Sequence, residues 1–97
     1  MKARVRYVGL VRNAVGRGEE EIELPAEAQV KELLALLQQE HGDELRYSLL
    51  RPDGELRSTC HILVGDQDID ELQGLDTLVP PNGEVAVVVL VYPAEGG

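Results

Sequence analysis

Val85-Ala86-Val87-Val88-Val89-Leu90-Val91-Tyr92 is the strongest strand signal in this chain. Apolar residues fill both alternating positions of the run, which is typical of a strand covered on both faces. The turn Pro81-Asn82-Gly83 precedes it and Pro93 ends it. One face is expected to pack on a helix. The other is either covered by an inserted arm over residues 45–57 or exposed to a partner, and the candidate residues for that contact are Val87, Val89, Val91 and Tyr92.

Two shorter segments near the N-terminus alternate polar and apolar residues, as half-buried strands do. They cover residues 2–8 and 21–24 and are separated by a loop that contains glycines. We therefore expect an antiparallel hairpin. Arg4 and Arg6 of the first strand would lie opposite the glutamates of the second, and such cross-strand pairs contribute about 0.2 to 1 kcal/mol each.

A helix follows the hairpin. Val30, Leu33, Leu34 and Leu37 fall at i, i+3, i+4 and i+7, which predicts one apolar stripe on a helix from about Gln29 to His41. Its start has no Ser, Thr, Asp or Asn to act as the N-cap. His41 is expected to lie in the last turn, where a cation interacts favourably with the helix dipole.

The stretch between this helix and the final strand contains shorter signals. Residues 45–57 surround the turn signal Arg51-Pro52-Asp53-Gly54, which predicts an inserted hairpin-like arm. Cys60 to Val64 reads as a short strand, and residues 69–78 as a polar connection anchored by the leucines at positions 72, 75 and 78. The whole order predicts an α+β fold in which a mixed sheet of four or five strands packs on one main helix.

Composition limits the function. The chain has 97 residues, a net charge of −9 and a single cysteine, so it is expected to form one domain without an internal disulfide. No run is apolar and long enough to span a bilayer, and no signal-peptide pattern is present, so we expect a cytoplasmic protein without membrane contact. The acidic balance and three tyrosines as the only aromatic residues argue against nucleic-acid binding.

The charges are unevenly distributed along the chain. Five basic residues and no acid occur in the first seventeen residues, whereas the remaining eighty contain all eighteen acids and four basic residues. Solubility explains an acidic body, because a net charge far from zero keeps small domains apart. The alternative is a partner that has a basic docking surface.

The chain offers few residues for catalysis or metal binding. Asp66, Asp68 and Asp70 resemble the start of a calcium loop, but Glu71 and Thr77 stand where that loop needs Gly and Glu. The neighbours Cys60 and His61 would point to opposite faces of a strand, so a nucleophilic pair or a zinc site is not expected. We expect no catalytic residue and no bound metal or cofactor in this chain.

The C-terminal residues carry the remaining signal. We expect a domain over residues 1–93 and a flexible tail over residues 94–97 that carries Gly96 and Gly97. A frayed terminus is one interpretation. The other is functional, because a terminal glycine has no Cβ and can enter a narrow channel to present its carboxylate to a nucleotide.

Several segments together resemble the MoaD/ThiS family of sulfur carriers, which are ubiquitin-like β-grasp proteins. They are Val30 to Leu37, Ile62 to Ile69, Gly74-Leu75-Asp76-Thr77, Asn82-Gly83-Glu84-Val85 and Gly96-Gly97. The arm over residues 45–57 is most similar to the longer, CysO-type members. The resemblance implies a carrier or co-substrate of partner enzymes rather than an enzyme.

The resemblance also implies partners and site residues. An E1-like adenylyltransferase of the MoeB/ThiF type would use ATP and Mg to adenylate the Gly97 carboxylate. A sulfur donor such as a cysteine desulfurase or a rhodanese would then convert it to a thiocarboxylate, and a sulfur-accepting enzyme would use it in molybdopterin, cysteine or thiamine synthesis or in tRNA thiolation. Gly96 and Glu95 would line the channel of the partner enzyme.

Two alternatives share this expected fold. In a ubiquitin-like modifier, Gly97 would be attached to lysines of other proteins. In an interaction module, the apolar final strand would bind a partner and the tail would be inert. Glu95 replaces the small or apolar residue that commonly precedes the two glycines in the family, and this charge could select a different activating enzyme.

Overall fold

The computed structural model describes residues 1–90, which form a five-stranded mixed sheet with helices packed on one face. The strands are β1 (Lys2–Gly9), β2 (Glu19–Glu23), β3 (Cys60–Val64), β4 (Gln67–Asp68) and β5 (Glu84–Val89). The helices are α1 (Val11–Val15), α2 (Val30–His41) and α3 (Asp43–Leu49), and two 3-10 turns span Ile69–Glu71 and Gly74–Asp76. The predicted α+β class and the main helix are confirmed. No helix within residues 1–90 combines the length and apolar character needed to cross a bilayer.

The strand order β2-β1-β5-β3-β4 places β5 at the centre of the sheet. It pairs in parallel with β1 and antiparallel with β3. Its odd-numbered residues Val85, Val87 and Val89 are buried, whereas Ala86 and Val88 are only partly buried on the other face. The core therefore lies on one side of the sheet, where α2 contributes Val30, Leu33, Leu34 and Leu37.

Helix α2 begins one residue later than predicted and has an unusual N-cap. Gln29 has extended backbone angles, and its N–H donates to the Glu32 carboxylate at 3.0 Å, which is half of a capping box. At the other end, Gly42 has φ of 78° and its N–H donates to the Gln38 carbonyl at 2.8 Å. A glycine is typical of this helix end, whereas glutamine is not among the preferred N-cap residues.

Two segments differ from the sequence predictions. The loop between β1 and β2 contains the short helix α1, which buries Val11. The predicted arm begins as helix α3 and not as a strand, because Leu45 and Leu49 lie one helical turn apart and are both buried in the core. Only its second part is hairpin-like, with Leu50 and Leu56 bridged across the Pro-Asp-Gly turn.

The connection from β4 to β5 is anchored by residues other than those predicted. Leu72 and Leu78 are 38% and 57% exposed, so the prediction that they anchor the segment is wrong. The buried residues are Ile69 and Val79, and Leu75 packs partly against the core. The backbone is instead held by pairing with the start of α2, where the Val79 N–H donates to the Ala28 carbonyl at 2.9 Å.

His41 does more than face the helix dipole. Its Nε2 lies 2.5 Å from Oε2 of Glu20, and the Tyr7 hydroxyl donates to the same oxygen at 2.5 Å. The rings of Tyr7 and His41 meet edge to face at 6.1 Å. Burial is the main cause of a strongly raised pKa of Tyr7, followed by its hydrogen bond to Glu20, so the hydroxyl stays protonated and remains the donor. This cluster ties the end of α2 to β1 and β2.

Gly9 ends β1 where the backbone of β5 passes close to it. Its φ is +83°, and a Cβ placed there would lie only 2.0 Å from the Val89 carbonyl oxygen. That oxygen already accepts a hydrogen bond from the Leu10 N–H at 3.0 Å. Gly16 has nearly the same φ, +84°, but has no atom within 4 Å of a Cβ. The two positions therefore separate backbone strain from a steric clash.

We expect Gly9→Ala to lower the free energy of unfolding by more than about 2 kcal/mol, because strain and a clash with β5 add together. Gly16→Ala is the matched control and should cost about 1 kcal/mol, since it introduces strain alone. Urea unfolding followed by circular dichroism measures both. Equal losses in the two variants would contradict the close packing of Gly9 on β5.

Cys60 is buried at the start of β3. Burial, with a smaller contribution from the charge of Asp68, raises the pKa of its thiol to about 12. At pH 8 this lowers the thiolate fraction about 1,000-fold relative to an ordinary cysteine, and the thiolate is the reactive form. Labelling by Ellman's reagent at pH 8 should therefore be very slow in the folded protein and fast in 6 M guanidinium. Fast labelling of the folded chain would show that Cys60 is accessible and ionised.

Candidate functional site

The place where the chain leaves the sheet is fixed by backbone hydrogen bonds. The N–H of Leu90, the last described residue, donates to the Thr59 carbonyl at 3.0 Å. On the other side of β5, the Leu10 N–H donates to the Val89 carbonyl. The exit point thus lies between the end of β1 and the start of β3. The predicted site residues Gly97, Gly96, Glu95, Val91 and Tyr92 follow it and lie outside the described residues.

An apolar surface extends along the sheet from this exit point, on the face opposite α2. We call this surface, formed by Val8, His61, Leu63, Ala86, Val88 and Leu90, the open face. Strand register places Val8, Val88 and His61 in one row and Ala86 beside Leu63 in the next. Val8 and Leu90 are 40% and 41% exposed, so this surface is available for contact beside the exit point.

The prediction that Val87 and Val89 bind a partner is corrected by their burial. Their side chains are 0% and 4% exposed and belong to the core beneath the helices. Because side chains alternate along a strand, Ala86 and Val88 occupy the open face instead. Because odd-numbered and even-numbered residues of this strand are both apolar, the sequence did not show which set faces the helix.

Charged residues flank the open face on the side of β1. Register places Arg4 opposite Glu21, as predicted, and Arg6 opposite Glu19. Arg6 makes its ion pair on the other side, with Glu84 of β5 at 3.2 Å. Both side chains of this pair are about half exposed, so it contributes little to stability but sets the polarity of the rim.

The residues considered as metal ligands or nucleophiles have structural roles, which are an ion pair, burial in the core and the capping of a turn. Nδ1 of His61 lies 3.4 Å from a carboxylate oxygen of Asp68, and Cys60 is buried on the opposite face of β3. The other oxygen of Asp68 accepts a hydrogen bond from the Asp70 N–H at 2.9 Å and so caps a 3-10 turn. Within residues 1–90, no group of three or more metal-ligating side chains is arranged around a common point.

Val8 and Leu10 are exposed apolar residues near the exit point that were not predicted from the sequence. The alternation of β1 carried a signal for Val8, because burial of Val5 and Tyr7 places position 8 on the other face. Leu10 follows a glycine with positive φ and is 49% exposed. Its exposure depends on the turn at Gly9, which a strand pattern does not reveal.

Comparisons with solved structures show which fold this is. SAMP1 from Haloferax volcanii superposes with a TM-score of 0.84 at 17% identity, covering 97% of this chain and 100% of that one. A putative molybdopterin converting factor subunit 1 from Pyrococcus furiosus gives 0.74 at 24% identity, with 94% and 99% covered. The Amycolatopsis orientalis BexX/CysO complex contains a chain that gives 0.74 at 21% identity, with 95% and 99% covered.

These likenesses confirm the ubiquitin-like β-grasp fold. No significant match was found among curated protein sequences. The sequence profile of the ThiS family, however, matches residues 5–96 and so includes almost the whole chain. This chain therefore belongs to the ThiS family and has the ubiquitin-like β-grasp fold.

Proposed function

We propose that this protein is a sulfur carrier whose Gly97 carboxylate is activated and converted to a thiocarboxylate by partner enzymes. The observation that carries the proposal is the family match, which extends through Gly96. The exposed apolar surface beside the exit point supports it, because an enzyme that acts on the tail can bind there.

The chemistry begins at an unreactive group. A carboxylate resists nucleophiles until one oxygen becomes part of a good leaving group. An E1-like enzyme of the MoeB/ThiF type joins the Gly97 carboxylate to the α-phosphate of ATP with Mg, and pyrophosphate leaves. The persulfide sulfur of a donor such as a cysteine desulfurase or a rhodanese then displaces AMP at the carbonyl carbon, and a thiol reductant cleaves the resulting acyl disulfide. The resulting thiocarboxylate delivers sulfur to an accepting enzyme.

The carrier contributes position rather than catalytic groups. A firmly hydrogen-bonded exit point, with Leu90 bonded to Thr59 and Val89 to Leu10, fixes where the tail starts. Docking on the open face then confines the tail to the channel of the enzyme, which raises its effective concentration there. Two glycines in succession suit a channel too narrow for a side chain.

Two structural neighbours bear on the reaction that receives the sulfur. The Pyrococcus furiosus neighbour carries a molybdopterin name and the Amycolatopsis orientalis neighbour is a CysO complex. We propose that the sulfur of this carrier enters one such biosynthetic reaction: molybdopterin, cysteine or thiamine synthesis, or tRNA thiolation.

We expect incubation with ATP, Mg, a sulfur donor and the E1-like enzyme of the host to increase the mass of the C-terminal peptide by about 16 Da, because sulfur replaces oxygen. The untagged chain is used, and the peptide is analysed by mass spectrometry. A chain lacking Gly96 and Gly97 should show neither this shift nor ATP–pyrophosphate exchange. Absence of exchange with the intact chain would contradict the carrier and modifier functions together.

A protein modifier is the second candidate. It is favoured by the structural likeness to SAMP1, the small archaeal modifier protein 1, of Haloferax volcanii. The same acyl-adenylate would then react with a lysine amine and release AMP. The two functions differ in their product. Peptides in which Gly97 is joined to lysine through an isopeptide bond would identify a modifier, and a free thiocarboxylate would identify a carrier.

We expect Val8→Asp to reduce kcat/KM for adenylation at least about tenfold, mainly through KM, because a charge on the open face must be desolvated on docking. Ala35→Asp is the matched control, since it adds the same charge on the exposed side of α2, away from the open face. ATP–pyrophosphate exchange at varied carrier concentration measures both variants. Equal kinetics in the two variants would show that the open face is not used.

A further inference from the structure

A second apolar surface lies at the opposite end of the sheet from the exit point. It is a groove of about 540 Å³, which we call the end groove, lined chiefly by Met1, Val64, Leu72, Leu78, Pro80 and Pro81. Leu72 and Leu78 are the leucines that were expected to anchor the connection and are exposed instead. Neither leucine belongs to the core formed by residues 1–90.

The wall of the end groove is held in place before any ligand binds. The segment around Leu78 pairs with the start of α2, because the Val30 N–H donates to the Thr77 carbonyl at 2.8 Å and the Val79 N–H to the Ala28 carbonyl at 2.9 Å. Glu27, which also lines the groove, has φ of 62°, a conformation that a glutamate rarely adopts. A fixed wall lowers the entropy lost on binding.

The charge around the end groove is negative on the side of Glu27 and of the connection between β4 and β5, whereas the Met1 ammonium, which donates to the Leu24 carbonyl, and Lys2 lie on the side of β1. Residues 58–90 contain six acids and no Lys or Arg. Glu27 lines the groove, and Asp66 and Glu71 adjoin the lining residues Gly65 and Leu72. Two acids of this stretch form ion pairs with basic residues from elsewhere in the chain: Asp76 with Lys31 at 2.9 Å and Glu84 with Arg6 at 3.2 Å. An apolar floor with an acidic rim favours a ligand that combines an apolar side chain with a neighbouring cation.

We propose that the end groove is a docking site for a segment of a partner protein that carries one or two large apolar side chains beside Lys or Arg. The site is separate from the tail. Val85 lies beside Val64 at the groove, and a distance of five residue steps along the strand, about 17 Å, separates it from Leu90 at the exit point. A partner held here leaves the open face and the tail accessible.

The test uses random 12-residue peptides displayed on phage and selected on the immobilised full chain. Selected sequences are synthesised and titrated into ¹⁵N-labelled protein. We expect apolar residues beside Lys or Arg, and shifts centred on Val64, Leu72 and Leu78. Leu78→Ser should weaken binding at least about tenfold and Glu27→Gln about threefold. Leu72→Ser replaces Leu78→Ser if the latter fails to fold.

The matched control is Val8→Ser on the open face, which should leave peptide affinity within about twofold. Leu78→Ser should leave ATP–pyrophosphate exchange at Gly97 unchanged, so failure of this proposal is distinguishable from failure of the carrier function. Selected peptides that lack cations, bind Leu78→Ser equally, or shift the open face overturn the proposal, as does failure to select any. Self-association of the free chain that Leu78→Ser abolishes also overturns it, because a second copy would then occupy the groove.

Discussion

The parallel pairing of β1 with β5 at the centre of the sheet is the constraint on which the rest of the structure depends. Parallel neighbours cannot be joined by a tight turn, so the chain between them must cross over the sheet. That crossing supplies α2, which covers one face, and β3, which pairs with the free edge of β5. None of the helices within residues 1–90 packs on the other face, where the open face lies. The pairing also requires glycine at position 9, where the backbones of the two strands meet.

Sequence periodicity predicted the elements that bury a regular stripe. The leucines of α2 and the alternation of β1 indicate their own faces, because polar residues occupy the remaining positions. In β5 both the odd-numbered and the even-numbered residues are apolar. Burial of Val87 and Val89 therefore depends on which face α2 covers and cannot be predicted from the strand sequence alone. The prediction that Leu72 and Leu78 anchor their segment was wrong for a related reason. In an irregular segment no sequence period distinguishes a buried leucine from an exposed one.

The acidic strand β2 shows how tertiary contacts distinguish residues that look alike in sequence. Glu19 and Glu21 are exposed on the open side, but Glu20 points to the helix side, and its side chain is only 9% exposed. A buried carboxylate needs hydrogen-bond partners. Glu20 has two of them, Tyr7 and His41, and both contact its Oε2 atom. Neither partner is near Glu20 in sequence. A glutamate that reads as a solvated strand residue thus joins the hairpin to the end of α2.

The positions of the two exposed apolar surfaces bear on how a carrier passes between proteins. Under the proposed carrier function, an enzyme that holds the tail would cover the exit point and the adjoining open face, so two tail-processing enzymes would compete for that surface and act in turn. The end groove lies at the other end of β5. A partner in the proposed groove site would therefore not compete with either enzyme. Such a partner can keep the carrier bound while the tail is released from one active site and enters the next, and the exchange then depends on the open face alone.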